Sequence, residues 1–384
     1  MIADVAARAA EQGRLAIDTE FVSERRYRAL LCLAQVAVPD PDSPDGARTD
    51  VLDPIEDELD PQPLAAVLAD PAVEVVVHAG RQDVAILRRT WKTEVTNIFD
   101  TQIAAGFVGL GNQEGYESLV MKVLGRRLKG TEGFTRWDRR PLTAEQLEYA
   151  ADDARLLLAL GDELERRLAQ WGRLEWAREE CRALEAASDE RAPDRVYERL
   201  PRLGRLGDRA RAVARELVEW REDVARAMDR PAGFVLPDQA LTELARRAPS
   251  DRRGLEQIRG LPPQTLHRRG PELLEALERG RARTPPPPPA VPPARDPADA
   301  PLVSLAQALV RHRSTESGVA VELIATQSEL SALVSALRRG EGGDRLRISH
   351  GWRRELVGNE LRELVAGRLS LSVGPDGRLV VRRT

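Results

Sequence analysis

The chain has 384 residues, 42% of them hydrophobic and 31% charged, with a net charge of −4, a balance that fits two or three globular domains and excludes a disordered chain. No stretch approaches about 18 uninterrupted apolar residues, which excludes a spanning helix, and the alanine-rich start MIADVAARAAEQGR lacks the order of a secretory signal. Only Cys32 and Cys181 are cysteine, far apart, so neither a disulfide framework nor a thiolate zinc site is expected, and the expected location is cytoplasmic.

In chain order, RLAID (14–18), ALLCLAQVAV (29–38) and VEVVVHAG (73–80) read as buried strands. Helical patterns cover PLAAVLAD (63–70), QDVAILRRTW (82–91) and TQIAAGFVG (101–109), and one long helix is predicted over 142–168, opened by a capping box of Thr143 and Gln146. Strands early and helices late predict an α/β layer with a mixed sheet. From residue 190 on, short Arg/Glu-rich helices replace the strands. TPPPPPAVPPARDPADAP (284–301) predicts a semi-rigid polyproline spacer. The last block, 302–384, carries three helical patterns and then the alternating GRLSLSVGPDGRLVVRR, a hairpin turning at Gly374–Gly377.

Charge is uneven along this order. Residues 1–170 hold 20 Lys+Arg against 30 Asp+Glu, and the other 214 hold 38 against 32. An acidic part followed by a mildly basic one suits a metal-dependent catalytic domain with nucleic-acid-binding appendages. Lysine is confined to Lys92, Lys122 and Lys129, a bias of the whole chain rather than a local phosphate clamp.

Two apart on a strand, Asp18 and Glu20 share a face, and their mutual repulsion is relieved by a divalent cation, which favours hard oxygen ligands. Asp83 begins a helix, where the dipole favours an anion. Tyr149 and Asp153, four apart on the capped helix, point the same way.

D-x-E, then D, then Y-x-x-x-D, carried by AIDTEFVSERRYRALLCLAQVA, VVVHAGRQDVAIL, IFDTQIAAGFVG and RWDRRPLTAEQLEYAADDARLLLAL, resembles the ribonuclease D family, the tyrosine-type branch of the DEDD 3′-5′ exonucleases. The resemblance covers nearly the whole chain. It implies an α/β RNase H-like exonuclease domain with a mixed β-sheet over 1–190, followed by all-α HRDC modules: an HRDC domain over 205–283, the Pro-rich linker 284–301, and a C-terminal HRDC-like or degenerate helical domain over 302–384. The hairpin at the end departs from an all-helical module. Fewer residues precede the first catalytic strand than the family usually carries, so the expectation is a truncated or misassigned start.

The resemblance also implies that Asp18, Glu20, Asp83 and Asp153 hold two divalent metal ions, Mg²⁺ or Mn²⁺, while Tyr149 orients or helps deprotonate the attacking water. An ordinary tyrosine pKa of about 10 favours orientation. The implied activity is removal of 3′-terminal nucleotides from RNA, with precursor tRNA 3′ ends as substrate, no membrane and no obligate protein partner. Two alternatives stand beside it, a single-stranded DNA 3′-5′ exonuclease and a non-catalytic RNA-binding adaptor. The HRDC region, without any polymerase-like region, favours RNA, and the full acid set argues against an adaptor.

Neighbouring residues are read in that light. Phe21 is expected to stack on the terminal base, unless it is a core residue. His78 either lines the floor of the site or is structural. Lys122, Arg126, Arg127, Lys129, Arg136, Arg139 and Arg140 form a basic loop, with Lys129, Arg136, Arg139 and Arg140 expected on the phosphate chain unless it is an ordinary solvated loop. Asp152 is expected to be solvated or salt-bridged, and Asp100 to cap a helix. In the HRDC region, Leu217, Trp220, Val224, Phe234, Leu241, Leu244, Ile258 and Leu261 are expected in the core. Arg252, Arg253, Arg259, His267, Arg268 and Arg269 are the basic candidates for RNA contact there.

Overall fold

Five strands form the main sheet: β1 (Arg14–Val22), β2 (Leu30–Pro39), β3 (Ala47–Leu52), β4 (Glu74–Val77) and β5 (Ile98–Asp100), in the order β3-β2-β1-β4-β5. The computed structural model describes residues 2–128, 135–288 and 296–384. β1 and β4, and β4 and β5, pair in parallel, whereas β2 and β3 are antiparallel. The sheet is therefore mixed, as expected. β2 is buried without a break from Leu31 to Val38, the continuous apolar reading of a strand covered on both faces. β1 pairs with β4 only from Arg14↔Glu74 to Ala16↔Val76. Beyond that point β1 overhangs its neighbour, and Asp18 and Glu20 lie in the overhang.

Eight helices accompany the sheet among the described residues before position 189: α1 (Ile2–Gln12), α2 (Gln62–Leu68), α3 (Arg81–Trp91), α4 (Thr101–Gly106), α5 (Tyr116–Leu124), α6 (Ala144–Arg155), α7 (Leu157–Gln170) and α8 (Leu174–Glu185). The long helix predicted over 142–168 is in fact two. Its start holds, but Leu156 leaves helical geometry (φ −101°, ψ 2°) and divides α6 from α7.

The chain clusters into two units, each with its own core. Phe21–Leu30 and Asp189–Pro293 form one; Met1–Glu20, Leu31–Ser188 and Ala294–Thr384 form the other. In the helical unit, α9 (Pro193–Glu198), α10 (Asp208–Ala227), α11 (Ala232–Val235), α12 (Asp238–Arg247), α13 (Arg252–Glu256) and α14 (Pro263–Ala282) enclose Leu217, Leu241, Leu244, Leu255, Leu273 and Leu277. The segment 21–30 is anchored there by Tyr27, whose hydroxyl donates to the fully buried carboxylate of Glu222 at 3.0 Å. Of the apolar residues expected in this core, Leu217, Trp220, Val224, Leu241, Leu244 and Ile258 are buried and Leu261 is half-buried. Phe234 is not: it is 59% exposed, because the four-residue α11 turns Ala232 and Val235 inward and leaves the ring between them outside.

The C-terminal block, expected as a module of its own, shares the core of the sheet unit instead. It comprises α15 (Asp299–Ser317), α16 (Val321–Ile324), α17 (Gln327–Arg338), the helical stretch 351–365 and a hairpin of β6 (Leu369–Val373) and β7 (Leu379–Arg383). α15 begins inside the segment expected to be spacer, with Asp299 held by Ser335 and Arg338. One hydrophobic cluster runs from Phe107, Leu157 and Leu160 through Val303, Leu309, Leu333 and Trp352. Trp352 meets Phe107 edge-on at 4.9 Å and stacks on Trp176 at 5.6 Å. Gly106 lets the two blocks approach closely at this seam, where a Cβ would lie 2.5 Å from Leu323 Cδ1 and 3.1 Å from Asn112 Cβ. The hairpin turns where expected, with the Gly374 amide donating to Arg378 O and Gly377 at φ +77°.

Candidate active site

Strand alternation places Asp18 and Glu20 on one face of the β1 overhang. α6 brings Tyr149 and Asp153 to them. Its start is fixed by the predicted capping box, in which Thr143 Oγ1 accepts from the Gln146 amide (3.2 Å) and Gln146 Oε1 accepts from the Thr143 amide (2.9 Å). Carboxylate oxygens of Asp18, Glu20 and Asp153 come within 4.8 Å of one another. Asp83, in the first turn of α3, is not part of that trio. It is 8% exposed and accepts a hydrogen bond from the Thr19 hydroxyl, yet its charge is felt by both Asp18 and Glu20. The tight turn from β4 into α3 requires Gly80, where a Cβ would sit 2.6 Å from Val77 Cβ.

Like charges confined together hold protons tightly. Burial, and then the charges of Asp83, Asp153 and Glu20, raise the Asp18 pKa well above the usual carboxylate range. Burial and the charges of Asp153 and Asp83 push Glu20 up to about 8. Asp153 reaches about 7, mainly through burial, although the Tyr149 hydroxyl donates to it. Asp83 reaches about 6, again through burial, with the Thr19 hydrogen bond opposing. A set of hard oxygen donors that cannot all ionise at neutral pH without a counter-charge fits a divalent cation.

The surroundings are mostly structural. Asp100 caps α4 as expected, accepting from the amides of Gln102 (2.8 Å) and Ile103 (3.2 Å), and it also holds the β4–α3 turn through the amides of Ala79 and Gly80. His78 Nδ1 lies 2.9 Å from Thr101 Oγ1, whose own hydroxyl donates to Val77 O at 3.1 Å. Burial lowers the His78 pKa, and the ring is held by Thr101 and lies against Tyr116 with ring centroids 5.6 Å apart. Asp152 is salt-bridged to Arg155 at 2.7 Å and buried rather than solvated.

The expected RNA-binding residues fare unevenly. Arg140 is no free cation: its guanidinium donates twice to Asp53 at 2.6 Å and to the carbonyls of Trp137 and Cys32. Arg136 is exposed but forks onto Asp138 at 2.9 Å, and Arg139 is exposed. Phe21, half-buried, follows Glu20 on β1 and so faces the other way. Lys129 lies outside the described residues.

Three residues near the acids were not singled out from sequence. Thr19 orients Asp83. Trp137, buried, stacks on Tyr149 with ring centroids 6.2 Å apart and planes at 24°. Tyr116, whose hydroxyl donates to Asp152 O at 3.5 Å, is held protonated first by burial and then by the charge of Asp153. Trp137 stands in the RWDRR motif, a signal available in the sequence.

Residues 1–169 match a 3′-5′ exonuclease family model and residues 210–277 an HRDC domain model. The chain is 34% identical to the ribonuclease D of Acidiphilium cryptum over 95% of its own length and 91% of the relative's. It is 34% identical to that of Nitrobacter hamburgensis over 99% and 96%. The crystal structure of Escherichia coli RNase D, described as an exoribonuclease involved in structured RNA processing, superposes with a TM-score of 0.81 at 27% identity, covering 95% of this chain and 96% of that one. Similarity of this extent, spanning the exonuclease half, the HRDC region and the C-terminal block alike, makes the chain a member of the ribonuclease D family and a 3′-5′ exoribonuclease.

Proposed function

We propose that the chain trims precursor tRNA 3′ ends in the cytoplasm by hydrolysis with two divalent ions, Mg²⁺ or Mn²⁺, held by Asp18, Glu20, Asp153 and Asp83. The observation that carries this reading is the convergence of Asp18, Glu20 and Asp153 oxygens within 4.8 Å. Bound there, the ions would supply the charge that activates water and stabilises the departing 3′-oxygen. Tyr149 donates its hydroxyl proton to Asp153 and has a pKa raised above that of an ordinary tyrosine by burial and then by the charges of Asp153 and Glu20. It is therefore no base at neutral pH, and its part is to orient the attacking water. Water adds to phosphorus, the 3′-oxygen of the shortened RNA leaves, and a nucleoside 5′-monophosphate is released. A precursor tRNA bearing a 3′ extension, incubated with the full chain in Mg²⁺ or Mn²⁺, with and without chelator, tests the proposal. Metal-dependent shortening from the 3′ end is expected; faster degradation of a matched DNA strand, or turnover indifferent to chelator, would overturn it.

A further inference from the structure

Residues 23–29 connect β1 to β2, and connections of that kind ordinarily run over the surface. Tyr27, in the middle of this one, is instead 8% exposed and shares the core of the helical unit with Leu217, Val224 and Leu236. Its hold there is made at several points. The hydroxyl donates to the buried Glu222 carboxylate at 3.0 Å, and Arg191 grips the same carboxylate at 2.8 and 3.3 Å. Burial and then the charge of Glu222 raise the Tyr27 pKa, so the phenol stays a donor. Three guanidiniums surround the ring, Arg226 at 5.7 Å from its centroid and Arg28 and Arg191 at 5.9 Å, all within cation–π reach of about 6 Å. On the backbone side, the Tyr27 amide donates to Asp229 Oδ1 at 3.1 Å, and Arg26 pairs with Asp229 Oδ2 at 2.7 Å.

What this anchor can do follows from the residues that precede it. β1 pairs with β4 only as far as Ala16, so β4 gives Asp18 and Glu20 no support along that edge. The strand ends at Val22, already within the share of the chain that belongs to the helical unit. Seven residues of continuous backbone therefore join Glu20 to Tyr27, and a shift at the anchored end passes through covalent bonds to the acids. Reacting groups must be held to within about 0.5 Å, and a misplacement of about 1 Å costs about 100-fold in rate. We propose that Tyr27 is a positioning residue for the cleavage reaction: its anchorage in the helical unit fixes the end of β1 and with it the carboxylates of Asp18 and Glu20. This role rests on the proposed function, in which those carboxylates hold divalent ions. It gives the helical unit a part in the chemical step that is separate from any grip on the substrate.

The test uses the full chain and three measurements: single-turnover cleavage of a labelled RNA at saturating protein in Mn²⁺, affinity for the same RNA by anisotropy in chelator, and Mn²⁺ affinity from the electron paramagnetic resonance signal of the free ion. Tyr27→Ala is expected to slow single-turnover cleavage by about 10- to 100-fold and to weaken Mn²⁺ binding by about 10-fold, with RNA affinity within about twofold. Tyr27→Phe keeps the ring among its guanidiniums and the amide on Asp229, and should restore most of the rate. Asp229→Gly suits the left-handed backbone at that position (φ +47°) and removes both acceptor bonds; it is expected to slow cleavage severalfold in the same pattern, and it decides the matter alone if Tyr27→Ala does not fold. A residue that only stabilised the helical unit would lower the melting temperature and leave the folded variant cleaving at the wild-type rate. Wild-type cleavage and Mn²⁺ affinity in the folded variants, or a loss confined to RNA affinity, overturn the positioning role while the proposed function stands. A wild type that binds no Mn²⁺ overturns the proposed function and this role with it.

Discussion

The hydroxyl of Thr19 donates a hydrogen bond to the carboxylate of Asp83, although the two residues stand on different elements, β1 and the first turn of α3. That bond opposes the effect of burial on Asp83. Thr19→Val keeps the shape and removes the donor, so the Asp83 pKa should rise further. The rising limb of the pH–rate profile is expected to move up by about half to one unit, with turnover at neutral pH reduced severalfold. An unmoved profile would show that the bond does not set the protonation of Asp83.

Asp18→Asn and Asp153→Asn each remove one charge from the oxygen trio while keeping its volume. Each is expected to lower cleavage by about 1,000-fold or more while RNA affinity stays within a few-fold. Single-turnover cleavage and anisotropy binding of the same RNA, measured in parallel, check this. Undiminished turnover in either variant removes that residue from the site.

Without a cation, the raised pKa values make the acids a pH-dependent burden. Glu20 near 8, Asp153 near 7 and Asp83 near 6 all lie above their unfolded values, so the folded state binds protons more tightly than the unfolded one. The metal-free protein should therefore lose stability as pH rises through about 4 and reach its full penalty above about 8. Under the proposed function, Mg²⁺ is expected to relieve that penalty. Differential scanning fluorimetry is expected to show stabilisation by Mg²⁺ of several degrees at about pH 8 and little at about pH 5; equal stabilisation at both values would mean that the acids ionise unaided.

Trp137 and Arg140 hold the segment that faces Tyr149. Asp53→Ala removes the two-pronged carboxylate partner of Arg140 but leaves its bonds to the carbonyls of Trp137 and Cys32, at an expected cost of about 1 to 2 kcal/mol. Trp137→Ala is expected to lower kcat about tenfold with little change in KM, and Trp137→Phe to restore most of it. Equal kinetics for Ala and Phe would remove the ring from any positioning role.

Gly106→Val introduces a Cβ against Leu323. An expected loss of about 1 to 3 kcal/mol from overpacking should appear as an earlier urea transition of the sheet unit, with the helical unit unaffected.

What the sequence disclosed follows from periodicity. Asp18 and Glu20 were legible because strand side chains alternate, and Tyr149 with Asp153 because helical ones recur every fourth residue; the Thr143 capping box fixed where that helix starts. Strand β3, ARTDVL, is too polar to read as a strand, and β5 is only three residues long. Leu156 is a good helix former, so nothing local announces the break there. Phe234 was expected in the core because helical spacing was extended across a helix of four residues, too short for spacing to assign a face. Arg140 read as a free cation since its partner, Asp53, lies 87 positions away.

The core beneath the acids is built from both ends of the polypeptide: Phe107 and Leu160 pack in one cluster with Val303 and Trp352, and the helical unit is spliced between them. During synthesis the amino-terminal sheet must therefore wait, partly uncovered, until the final helices leave the ribosome, and the intervening bundle can fold first on its own. A message cut short before α15 would leave Phe107 and Leu160 without Val303 and Trp352, an apolar flank open to chaperones and proteases.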